Sequence, residues 1–178
     1  MAVTIGVARK DGFVSELIGW FGAGYWSHAF NVLQDDSYVL DARANEIDGI
    51  APGVRIRPMS YLQDEERLII EVPSTAAQAK KWLALGMAQI GKPYNSIGIV
   101  DFALGRIRDS NYDWRDQTSW FCSELDAYML ESAGIIPQLP KGIFRITPGD
   151  IAIAATAAGG KIRAHLKPGQ PWPGSTSK

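Results

Sequence analysis

Apolar and polar residues alternate from Ala2 to Ala8, which predicts a first β-strand. Asp11-Gly12 then signals a turn before Phe13 to Phe21, whose apolar residues suit a short helix closed by Gly22-Ala23-Gly24. Two β-favouring runs, Ser27 to Leu33 and Ser37 to Ala42, flank Gln34-Asp35-Asp36 and read as a hairpin. The stretch Asn45 to Gly53 is turn-rich, and further strands are predicted at Val54 to Arg57 and Arg67 to Val72. Beyond Ser74 the period changes. Thr75 with Gln78 makes a capping box for a helix over Ala76 to Ile90, stopped by Gly91 and Pro93, and a second helix is predicted over Ser96 to Gly105. A third, from about Ser119 to Ala133, places Phe121, Leu125, Tyr128, Met129 and Ser132 at helical spacing and ends at Gly134. Pro148-Gly149-Asp150 precedes an alanine-rich run, Ile151 to Ala158, whose type the pattern leaves open. With strands first and helices second, the expected class is α+β, a small antiparallel sheet with helices packed against it, rather than a parallel βαβ fold.

Length and composition narrow this picture. The 178 residues fit one domain, expected over residues 1–166, with a flexible proline-, glycine- and serine-containing tail at 167–178. Hydrophobic residues at 46% and charged residues at 21% belong to a folded globular chain. A net charge of -1 without any Lys/Arg cluster argues against nucleic acid as a partner. One cysteine and two histidines provide no zinc-type ligand spacing, so neither a metal nor a cofactor is expected. No apolar run is long enough for a transmembrane segment, and no secretory signal is visible, which predicts a cytoplasmic protein or one that leaves by another route.

The candidate chemistry lies in Cys122 and His28. Cys122 falls in the first turn of the third predicted helix, with Ser119 or Thr118 as its cap, where unpaired amides favour a thiolate. A lone cysteine is otherwise an ordinary small buried hydrophobe. His28 shares a strand face with Phe30 and Val32, a setting more often structural than catalytic. The hairpin decides its meaning. A loop of two or four residues sets Phe30 across from Asp41 and makes His28 and Asp41 diagonal neighbours on one face, whereas a three-residue loop separates them. Asp41 is then either the residue that orients the imidazole or a solvent-facing carboxylate at a strand end.

Taken in order, Trp26-Ser27-His28-Ala29-Phe30, Asp41, Gly91-Lys92-Pro93-Tyr94-Asn95 and Trp120-Phe121-Cys122-Ser123-Glu124-Leu125 resemble the permuted papain-like group of NlpC-type cysteine hydrolases (YiiX/YaeF-like). The resemblance spans roughly Val3 to Ala133 and implies a circularly permuted papain-like core with the nucleophile at a helix N-terminus. It assigns Cys122 as nucleophile, His28 as general base and acid, Asp41 as the orienting residue, and Tyr94, Ser27 and Trp26 to substrate or oxyanion contacts. One departure matters. The third position in that group is commonly glutamate or an uncharged polar residue, and the shorter Asp41 here leaves Glu46 as a substitute. His165 matches nothing in the pattern. Glu124 is expected to be structural, satisfying amides at the helix start.

The activity this implies is that of a thiol peptidase or amidase of bacterial or phage type, cleaving an amide bond in a cell-wall (peptidoglycan) or other short peptide through a thioacyl-enzyme. Related permuted members suggest a lipid acyl hydrolase or acyltransferase instead, with Phe13, Trp20, Phe21, Tyr25 and Trp26 holding an acyl chain. A binding module that keeps the fold without chemistry is the third reading.

Overall fold

The β-favouring runs pair as one antiparallel sheet in the computed structural model, which describes residues 1–9, 25–33, 36–95, 118–139 and 146–172. Its strands are β1 (Ala2–Arg9), β2 (His28–Val32), β3 (Tyr38–Arg43), β4 (Gly53–Pro58), β5 (Glu66–Pro73) and β6 (Lys161–Leu166), in the order β4-β3-β2-β1-β5-β6. Among the described residues three helices, α1 (Ala76–Met87), α2 (Cys122–Ser132) and α3 (Pro148–Ala157), give an α+β arrangement, and a 3-10 turn, Met59–Leu62, follows β4. Residues 10–24, 34–35, 96–117, 140–145 and 173–178 lie outside the described set. So do the helices expected at Phe13 to Phe21 and Ser96 to Gly105, with the aromatic residues Phe13, Trp20 and Phe21.

Strand alternation sorts the side chains into two cores. Ile5, Val7, Ala29, Leu40, Ala42, Ile70 and Val72 pack with Leu125, Met129 and Leu130 of α2 and with Ile151 and Ala155 of α3. On the other face, Ala8, Phe30, Val32, Val39 and Ile69 pack under Met59, Leu62 and Trp172. Both faces of the central strands are therefore dry. All five residues of β2 are buried, so its polar side chains, His28 and Asn31, need partners inside the protein.

Several expected boundaries shift. α1 begins at the Thr75–Gln78 capping box but ends at Met87 rather than Ile90, and the chain then turns through Gly91, whose φ of 96° suits glycine. The alanine-rich run is a helix because Thr147 and Asp150 satisfy each other's backbone amides and Pro148 opens the first turn. β6 was not foreseen: it is an edge strand whose Lys161, Ile162 and Arg163 are exposed, so little hydrophobic pattern marks it. The first part of the expected flexible tail is tied down. Gly169 donates to the Gln63 carbonyl at 2.8 Å, and Trp172 is buried beneath the Arg163 guanidinium. No helix among the described residues is long and apolar enough to cross a membrane.

Candidate active site

Hairpin register brings the first two candidate residues together. Asn31 pairs with Leu40 and Val32 with Val39, and Leu33 donates to Tyr38. The connection between these pairs is even-numbered, so Phe30 lies across from Asp41 and His28 is its diagonal neighbour. The imidazole Nε2 stands 2.9 Å from Asp41 Oδ2, and both residues are buried. Asp41, not the exposed Glu46, is the residue on the histidine.

Three side chains that the sequence did not single out surround Asp41. Arg57, fully buried on β4, donates through Nη1 to Asp41 Oδ1 and through Nη2 to the Ala51 carbonyl at 3.0 Å. Tyr61, in the 3-10 turn, donates its hydroxyl to Asp41 Oδ2 and lies 3.2 Å from His28 Nε2. Arg43 reaches the Tyr61 oxygen at 3.3 Å and ties Glu65 at 2.9 Å. Burial pushes the Asp41 carboxyl up, but the hydrogen bond from His28 and the charges of Arg57 and Arg43 hold the group below its ordinary value. Burial, with Arg43 opposite in the register, pushes His28 down. The result is a neutral imidazole whose Nε2–H points at a carboxylate, leaving Nδ1 as the basic nitrogen. Arg55 and Arg57 flank Ile56 on one strand and so share a face of β4, which is the signal the sequence offers for an arginine beside Asp41; nothing in the sequence marks Tyr61.

Cys122 is the first residue of α2 and only 2% exposed. The cap differs from the expected one: Phe121, not Ser119 or Thr118, holds the position, and Glu124 Oε2 accepts its amide at 3.0 Å. That is the structural part foreseen for Glu124. The expectation of a readily ionised thiol is overturned. Burial is the dominant effect and pushes Cys122 up to about 12, although the backbone amides of Ala29 and Ser123 bond to the sulfur and favour the thiolate.

Sulfur and imidazole sit beside the same strand but are not joined. Ala29 and Asn31 face α2, whereas His28 stacks on Phe30, with ring centroids 6.0 Å apart, on the other face. Among the described residues no hydrogen bond links Cys122 to His28, whose ring nitrogen Nε2 is held by Asp41 and Tyr61. Tyr94 does come to the cysteine: it bridges in parallel to Trp120, packs 5.8 Å from the Phe121 ring, and is pushed up in pKa by burial and by Cys122. Ser27 and Trp26 are engaged elsewhere. Ser27 Oγ reaches the Ala8 carbonyl at 3.5 Å, and Trp26 packs edge-on against Tyr25 and His165. His165 bonds Glu66 at 2.7 Å on the far edge of the sheet.

No protein-family model matches the chain, and no curated protein matches it. Among the described residues no group of three His, Cys, Asp or Glu side chains is arranged to hold a metal ion.

These shifts dictate how stability follows pH. His28 and Asp41 bind protons less readily folded than unfolded, so their contributions are complete above the ordinary values of 6.5 and 3.8 and are lost as pH falls below each in turn. Cys122 acts oppositely. The unfolded thiol ionises above 9.0 while the folded one resists to about 12, so stability declines across that interval. Urea midpoints measured against pH are expected to fall on both sides of a neutral plateau, and a His28→Phe variant to lose the limb that starts near 6.5. An acid limb unchanged in that variant would contradict the buried neutral imidazole.

Proposed function

We propose that the protein is a cysteine hydrolase that acylates Cys122 and uses His28, oriented by Asp41, to move the proton. The observation that supports it most is the buried His28–Asp41 pair on the strand whose next residue, Ala29, presents its amide to the sulfur of Cys122 at a helix N-terminus. In this reading the Ala29 and Ser123 amides stabilise sulfur charge, and Tyr94 borders the reacting carbonyl. In this reading turnover requires Nδ1 of His28 and the thiol, which no hydrogen bond joins among the described residues, to come within reach of each other. The papain-like permuted core and the preference for short, cell-wall-type peptide amides rest on the sequence resemblance.

A second reading, an inert module on the same fold, is favoured by the thiol's burial and its high pKa. One experiment separates the two. The protein is incubated with a γ-glutamyl peptide, a D-amino-acid peptide and a short-chain thioester, and acyl adducts on Cys122 are sought by mass spectrometry. Turnover of a peptide with a Cys122-linked acyl group, abolished in Cys122→Ala and slowed roughly 10²–10⁴-fold in His28→Ala, is the expected result. Acylation by the thioester alone shifts the assignment to lipid or thioester acyl transfer. Absence of any adduct, with products formed equally by Cys122→Ala, removes the catalytic reading.

A further inference from the structure

One buried acid is unused by that mechanism. Asp126 lies one turn beyond Cys122 on the same face of α2, and Asn31 lies two residues beyond Ala29 on the same face of β2. Four residues of helix rise about 6 Å and two of strand about 6.6 Å, so two rungs fit between the elements: Cys122 on the Ala29 amide and Asp126 on the Asn31 side chain. The second rung is short, with Asn31 Nδ2 donating to Asp126 Oδ1 at 2.6 Å. Both residues are fully buried.

Two atoms of this rung have no partner: Asn31 Oδ1 and Asp126 Oδ2. Turning the amide over does not repair this, because Asn31 Nδ2 also donates to the Leu40 carbonyl at 3.3 Å and an oxygen there would face another acceptor. An ionised Asp126 would leave two buried acceptors of one hydrogen-bonded pair without any hydrogen to satisfy them. No arginine, lysine or histidine among the described residues pairs with it, and the charges it feels, the Cys122 sulfur on its own helix and Asp41 on the other face of the sheet, are themselves acidic. A proton on Oδ2, given to Asn31 Oδ1, satisfies both orphans at once.

We propose that Asp126 is a neutral carboxylic acid closed into a two-bond ring with the Asn31 amide, and that this ring is the positioning element that seats Cys122 on the Ala29 amide. Its structural content stands by itself; its bearing on catalysis rests on the reading of Cys122 as nucleophile. The ring fixes the slide of α2 along β2, and it keeps negative charge away from the turn behind the sulfur.

The test uses the whole protein with iodoacetamide as the probe of Cys122 and urea unfolding as the probe of the rung, so it requires no hydrolase activity. Asp126→Asn rebuilds the ring as an amide pair and is expected to keep the alkylation rate within about twofold at every pH, since no charge has been removed. Asn31→Asp introduces a second acid and is expected to lose stability, and the swapped pair Asn31→Asp with Asp126→Asn to recover most of it. An Asp126→Asn variant alkylated tenfold or more faster at neutral pH would show that Asp126 carries a charge and would overturn the proposal. A swapped pair no more stable than Asn31→Asp alone would overturn it independently. Absence of peptide turnover by the unsubstituted protein, with both results as expected, would count against the hydrolase reading only.

Discussion

Asp41→Ala is expected to destabilise the fold by about 3–5 kcal/mol, because it strands the buried charge of Arg57. Arg57 would keep only the carbonyls of Ala51 and Gly53, and Tyr61 and His28 would lose the acceptor they share. The measurement is the urea-unfolding free energy. A charge-free double variant, Asp41→Leu with Arg57→Met, separates the pair from its parts. Replacing a buried ion pair by apolar groups of similar size is often neutral, so the double variant should be much closer to the parent than Asp41→Ala. Equal losses in the two would mean that Asp41 contributes mainly through Tyr61 and His28.

Gly53→Ala is the second large effect. Gly53 opens β4 with φ at 99°, and a β-carbon there would collide with the Lys92 carbonyl oxygen, which accepts the Val54 amide at 2.9 Å. Backbone strain of this kind costs about 1–3 kcal/mol, and the collision with backbone adds to it. The displaced segment, Lys92–Pro93–Tyr94, is the one that packs Tyr94 against Phe121 beside Cys122. Iodoacetamide labelling of Cys122 is therefore expected to accelerate in this variant as the urea midpoint falls. A variant with normal stability and normal labelling would show that the two segments yield without consequence.

Much of this arrangement was legible in the sequence because it is local. The alternation in Ser27 to Leu33 and Ser37 to Ala42, with an even loop, is enough to place His28 and Asp41 on one face, and the capping box at Thr75 marks the start of α1. The rest depends on how separate elements pack. Arg57 and Tyr61 meet Asp41 only after β4 folds back on β3, and Asp126 meets Asn31 across 95 positions. β6 was hidden for a different reason, since an exposed edge strand needs few apolar residues. The thiol's high pKa escaped because helix position is a local signal whereas burial is a property of the assembled core.

The division between near and distant partners has a consequence for how the molecule assembles. The imidazole and its carboxylate are 13 positions apart on one hairpin, a loop whose closure has a small entropic cost. The sulfur reaches the same strand from a helix roughly ninety positions downstream, a contact of high sequence separation that forms late. During synthesis the hairpin leaves the ribosome well before the helix, so the nascent chain carries a histidine–aspartate unit with no thiol to activate. Docking of α2 is then the event that shields the lone cysteine from oxidants.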